Sequence, residues 1–161
     1  MPLFESLEDL ERVLPLFLVR CGVAALCGGL IGIERELKNK PAGFRTNILI
    51  CLGASIYMSV GLLVPGDVDP TRIAAQVVTG IGFLGAGCII QAGHRVHGLT
   101  TAATIWVVAS IGIVAGAGYP MLAFIGSLIV ITTLAALRQV EKRLFAANAP
   151  DDPHGPRDHA R

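Results

Sequence analysis

Charge is scarce in this chain: Asp, Glu, Lys and Arg make up only 16% of its 161 residues, and they balance to a net +1. So little charge cannot clothe the surface of a soluble domain. The absence of a basic excess also removes the electrostatic footprint of a nucleic-acid partner. The four cysteines, Cys21, Cys27, Cys51 and Cys88, lie in apolar runs and form no Cys-x-x-Cys or Cys/His spacing. A zinc site or disulfide framework therefore has no support, and the thiols read as small buried apolar groups. Catalytic signatures are missing too: there is no Gly-x-Ser-x-Gly, P-loop, His-Glu-x-x-His or dinucleotide fingerprint. His94 and His97 share one short loop with no carboxylate close in sequence. An enzyme is not expected. Nor does the N-terminus carry the basic region and small-residue site of a cleaved signal peptide; it is acidic, with Glu5, Glu8, Asp9 and Glu11 against Arg12. The first apolar run is therefore expected to stay as a membrane helix.

What the chain has in abundance is apolar length. Hydrophobic residues reach 53%, the mean hydropathy is +0.64, and there are 19 glycines. A bilayer core asks for about 20 mostly apolar residues per helix. Five stretches answer, near Val13–Ile33, Thr46–Val64, Thr71–Ile90, Leu99–Ala117 and Met121–Leu137. Short polar or Pro/Gly-containing turns separate them. The expectation is an all-α, polytopic membrane bundle of about five transmembrane helices. Three regions follow: an acidic segment 1–12, a transmembrane domain 13–143, and a polar, Pro-rich tail 144–161 expected to be disordered. Arg35, Lys38, Lys40 and Arg45 fall on one side of this arrangement, with Arg95, Arg138, Lys142 and Arg143. The positive-inside bias then predicts the N-terminus outside and the C-terminus in the cytoplasm.

The third stretch is the most informative. At 100° per residue, Arg72, Gln76, Thr79, Gly80, Phe83 and Gly87 share one face, while Ile73, Val77, Ile81, Leu84 and Cys88 form the opposite arc. The small, polar face is expected to meet protein or a cavity, and the branched arc to meet lipid. Gly22, Gly28, Gly29 and Gly32 give the first stretch a packing stripe, as Gly80, Gly82, Gly85 and Gly87 do for the third. Arg20, inside the first stretch, either snorkels outward or pairs with Asp67 or Asp69. Thr100 and Thr104 share a face of the fourth stretch, next to Thr101. Glu34, Arg35 and Glu36 cluster near Arg45 and Asn47, as a self-paired solvated loop or as a site for a partner, lipid headgroup or cation. Asp67 and Asp69 are the weak candidates for a Mg²⁺ site; the same Asp-x-Asp-Pro is also turn and capping chemistry. No other cofactor is suggested.

Three segments in order resemble the signatures of the MgtC/SapB family of bacterial membrane proteins. They are Gly28–Glu36 followed by Ala42–Thr46, then Asp69–Gly87, then Gly98–Trp106. The likeness spans roughly residues 14–143. It implies an inner-membrane, multi-pass protein tied to growth in low magnesium and, in pathogens, to survival in macrophages. Members are often named magnesium transporters yet are better regarded as regulators. One is associated with restraint of F-type ATP synthase and with membrane potential. Many members add a C-terminal ACT-like domain; the expectation here is a short, SapB-like member without one. Carried onto this sequence, the family's polar positions are Glu34, Arg35, Arg45, Thr46, Asp69, Arg72, Gln76, Thr100, Thr101 and Thr104. The expected partners are membrane lipid, a second copy of the chain, or a membrane complex such as F-type ATP synthase. The expectation is a non-enzymatic regulator working through helix contacts, its rival a transporter or channel for Mg²⁺ or H⁺.

Overall fold

A computed structural model of the chain describes residues 7–63, 69–92 and 95–145. Asp67, His94 and the tail beyond Phe145 lie outside the described residues. Five helices occur: α1 (Leu7–Leu37), α2 (Phe44–Leu63), α3 (Pro70–Gly87), α4 (Leu99–Gly116) and α5 (Pro120–Phe145). Between α3 and α4 a short antiparallel hairpin pairs β1 (Ile90–Ala92) with β2 (Arg95–His97), with Gln91 opposite Val96. The chain divides into two compact units, 1–131 and 132–161, and only the end of α5 is described in the second.

The all-α bundle is as the sequence predicts, with three local differences. The first helix is described from Leu7, so Glu8, Asp9, Glu11 and Arg12 are helical ahead of the apolar stretch that begins at Val13; Glu5 lies outside the described residues. The last runs to Phe145, past the apolar stretch that ended at Leu137. The β-hairpin stands where the sequence predicts a plain loop. Glycine makes its exit: Gly98 has φ +89°, and a Cβ there would run into the Cys88 carbonyl oxygen. The end of α3 and the start of α4 can meet that closely only at a residue without a side chain.

Helices α1, α2, α4 and α5 each contain a stretch long and apolar enough to cross a membrane. The third does not reach that apolarity. It has 18 residues, about 27 Å at ~1.5 Å per residue, but they include Arg72, Gln76, two threonines and four glycines. Its start is well formed: Pro70 enters at the first turn, and Asp69 caps it by accepting from the Thr71 amide at 2.9 Å.

The core lies where α1, α2 and α4 meet. Cys27 and Ile31 from α1, Cys51 and Ala54 from α2, and Ile105 and Val108 from α4 are buried there. In a bilayer there is no hydrophobic drive between helices, so close backbone approach supplies the cohesion. A Cβ on Gly28 would sit 2.6 Å from the Asn47 carbonyl oxygen, and one on Gly32 2.7 Å from the Phe44 Cα. On α4, Gly112 lies against the Cys51 carbonyl and Gly116 against that of Ser55. Buried hydroxyls are spent on backbone carbonyls, as a water-free interior demands. Ser59 donates to Gly116 O across the α2–α4 seam at 3.1 Å, and Thr104 to Thr100 O at 2.7 Å within α4.

Candidate functional site

The most heavily built polar feature sits where α1 ends, α2 begins and α4 begins. Arg35, in the last turn of α1, is only 2% exposed. Its Nη2 donates to the Thr101 hydroxyl on α4 at 2.7 Å and to the Pro41 carbonyl at 3.0 Å. Asn47 on α2 is fully buried, and its amide nitrogen donates to the carbonyls of Ala42 and Gly43. Two side chains thus occupy three consecutive carbonyls of the α1–α2 turn. That turn carries Asn39 and Ala42 at positive φ, 50° and 55°, a conformation that side-chain clamps help to hold. Glu36 completes the junction by accepting from the Phe44 amide at 2.9 Å, capping α2.

This arrangement separates residues that the sequence groups together. Arg35 does not lie in a solvated, self-paired loop; it is the buried pin of a three-element joint, with the charge of Glu34 nearby. Arg45 and Thr46 are exposed at the start of α2, outside that joint. Two buried polar atoms have no partner in it, Arg35 Nε and Asn47 Oδ1. Carbonyl oxygens in a row are ligands for a hard cation, but here a guanidinium and an amide already take them, and a guanidinium repels one.

The second feature is a cavity of about 1100 Å³ between α2 and α3, floored by Ile105 of α4. Asp69, Arg72 and Gln76 line it, and so do Thr46, Gly80, Ile73, Val77, Ile81 and Leu84. The face expected to meet lipid therefore borders the cavity. The reason is the angle at which α3 sits: it leans on α4 through Gly85, whose added Cβ would be 3.6 Å from that of Ala102. It touches α2 at Gly61 and Ile73. The cavity takes the whole branched arc, Ile73, Val77, Ile81, Leu84 and Cys88, together with Arg72, Gln76 and Gly80 of the polar face. Thr79, Gly82, Phe83 and Gly87 point away from it and are exposed, Phe83 by 82%.

The glycines divide by helix. Gly28, Gly29 and Gly32 are buried against α2, and Gly85 against α4, whereas a Cβ on Gly22, Gly80, Gly82 or Gly87 would meet nothing within 4 Å. Gly112 and Gly116 are packing sites that the sequence reading passes over, although they repeat the four-residue spacing of Gly28 and Gly32. The Arg20 guanidinium lies beside Gly118 in the α4–α5 turn, 3.1 Å from where its Cβ would be, and Nε has no partner among the described residues. Asp69 is exposed and occupied as a cap: the hydroxyl and amide of Thr71, with Arg72 adding, hold its carboxyl below the usual range. Thr101 and Thr104 are buried, Thr100 exposed. Among the described residues no group of three or more His, Cys, Asp or Glu could hold a metal ion.

The same joint and cavity fall inside a region shared with known proteins. The profile of the MgtC family matches residues 21–143. "Protein MgtC" of Brucella abortus (strain 2308) is 49% identical over 115 residues, 71% of this chain and 48% of that protein. "Putative magnesium transporter YhiD" of Escherichia coli (strain K12) is 44% identical over 140 residues, 82% of this chain and 65% of that protein. "Protein MgtC" of Salmonella typhimurium (strain 14028s / SGSC 2262) is 41% identical over 135 residues, 83% of this chain and 58% of that protein. The chain thus spans about half to two thirds of the length of these relatives. No solved structure matches it. With apolar spanning helices and a profile match over most of its length, the chain belongs to the MgtC family.

Proposed function

We propose that this chain is a non-enzymatic regulator in the inner membrane, with its N-terminus outside, acting through helix contacts made by the outer face of α3. One observation carries the reading. Among the described helices α3 alone lacks a stretch apolar enough to cross a membrane, yet Thr79, Gly82, Phe83 and Gly87 stand exposed on it. Small side chains in a bilayer are where another helix docks, because they let its backbone approach closely; the Thr79 hydroxyl is already spent on the Ala75 carbonyl at 2.9 Å. A second copy of the chain or a membrane complex would supply that helix; F-type ATP synthase is the candidate suggested by family likeness. The link to magnesium limitation and membrane potential comes from the same source.

Replacing Gly82 by Leu tests this cleanly, because Gly82 is exposed and a Cβ there meets nothing within 4 Å. The protein should fold as before and lose its oligomer or co-purifying membrane partner. Gly85→Leu is less informative, since it would press on Ala102 within the same chain. If every assembly survives Gly82→Leu, the α3 face is not the contact.

A second reading has its own observation: the α2–α3 cavity, lined by Asp69, Arg72 and Gln76. Transport of a small ion such as Mg²⁺ or H⁺ along α3 would use it, and the Escherichia coli relative is named a putative magnesium transporter. The fixed cation Arg72 and the branched walls favour the contact reading. Flux of Mg²⁺ or H⁺ into liposomes holding the protein, lost in Gln76→Leu, would reverse that preference.

A further inference from the structure

The two cavities of the bundle meet at one residue. Thr46 lines the α2–α3 groove, and it also lines a second cleft of about 770 Å³ at the membrane edge with Ile33, Glu36, Leu37, Phe44 and Arg45. We propose that this continuous surface is a binding site for one anionic phospholipid. Its phosphate would sit at Arg45 and Thr46, and its acyl chains would lie in the α2–α3 groove.

Three features of the surface select that occupant. The cleft is basic where it is open: Arg45 is exposed there, and Lys38 and Lys40 are exposed on the adjoining turn. The nearest acid, Glu36, is turned onto the Phe44 amide. Apolar side chains flank these charges, with Leu37 75% and Phe44 40% exposed, as suits the level where headgroup gives way to hydrocarbon. The groove below is apolar where it adjoins Thr46, with Leu49, Ile50, Ile81, Leu84 and Ile105 as walls. Along α2 it runs from Thr46 to Tyr57, eleven residues. At ~1.5 Å per residue that α2 wall is about 16 Å, half of a hydrocarbon core ~30 Å thick and long enough for the acyl chains of one leaflet; the α3 wall continues beyond it to Gln76, Arg72 and Asp69. Gly53 keeps the middle of this wall low; a Cβ there would meet nothing within 4 Å. A free phosphate would match only the upper part, and a protein helix would not account for the basic mouth.

The test uses the full chain in nanodiscs of equal phosphatidylglycerol and phosphatidylcholine. After mild extraction, the lipid retained is counted by native mass spectrometry. The wild-type protein should keep phosphatidylglycerol in preference, and inorganic phosphate should not displace it. Arg45→Gln should lower the phosphatidylglycerol preference about five-fold, the effect of one basic contact at an anionic surface. Gly53→Leu should fill the groove and lose the lipid while the thermal midpoint stays put, since a Cβ at that position meets nothing within 4 Å and the rest of the side chain points into the groove. An unchanged headgroup preference in Arg45→Gln, or full lipid retention in Gly53→Leu, would overturn the site. So would displacement by phosphate alone. The regulator reading is probed on the opposite side of α3, by Gly82→Leu, so either idea can fail without the other.

Discussion

The α1–α2–α4 core and the α3 helix use the same residue type to opposite ends. In the core, Gly28, Gly32, Gly112 and Gly116 each face the backbone of a neighbouring helix at a distance no side chain could share. On α3, Gly80, Gly82 and Gly87 face open space, and only Gly85 is buried. A glycine in a membrane helix therefore marks close approach, but not whether the approaching helix belongs to the same chain. In the core the partner is internal; on α3, Gly80, Gly82 and Gly87 meet no atom of the described residues within 4 Å of an added Cβ.

Leucine scanning separates the two cases most sharply. Gly112→Leu should prevent the native fold, because the side chain would enter the Cys51 carbonyl and the Ala54 Cβ. Overpacking costs about 1–3 kcal/mol even where neighbours can move, and a backbone carbonyl in a helix moves least. Gly82→Leu should leave the thermal midpoint in detergent unchanged. Equal midpoints for the two variants would erase the distinction between core and α3.

A smaller effect is expected at the joint. Thr101→Val removes the 2.7 Å acceptor of a buried guanidinium, and stranding a buried donor costs about 1–3 kcal/mol. The midpoint should fall, and the double variant Arg35→Met/Thr101→Val should recover part of the loss, since the donor goes with its acceptor. A single variant as stable as the parent would mean that Pro41 O alone holds Arg35.

The smallest effect belongs to the start of α3. Asp69 has its folded pKa below its usual value through the Thr71 bonds. Its contribution is therefore present above the unfolded value, and is lost as pH falls through the folded one. Hydrogen exchange at the first amides of α3 should quicken on acidification below about pH 4, near the ordinary aspartate range. In Asp69→Asn, which still caps, that pH dependence should disappear.

The helices themselves were legible because apolar runs broken by Pro, Gly and charge leave little choice of boundary. Where helices outrun their apolar runs, before Val13 and after Leu137, polar residues continue the helix, which hydropathy does not register. Arg35 is the clearest limit. Its neighbours in sequence are Glu34, Glu36 and Lys38, which suggest a solvated loop; its neighbours in space are Thr101, sixty-six residues away, and a carbonyl of the turn. The periodicity of α3 separated a branched arc from a polar one but assigned them the wrong surroundings: Ile73, Val77, Ile81, Leu84 and Cys88 line the groove, while Thr79, Phe83 and Gly87 stand exposed. Gly112 and Gly116 were readable in principle, by the spacing that drew attention to Gly28 and Gly32.

The contact of α3 with α4 through Gly85 and Ala102 also bears on how the protein enters the membrane. A ribosome delivers α3 and the hairpin before α4, so the helix with the weakest claim on lipid emerges while the surface it leans on is still unmade. Insertion of α3 must therefore wait on α4, and the two should enter the bilayer as a pair.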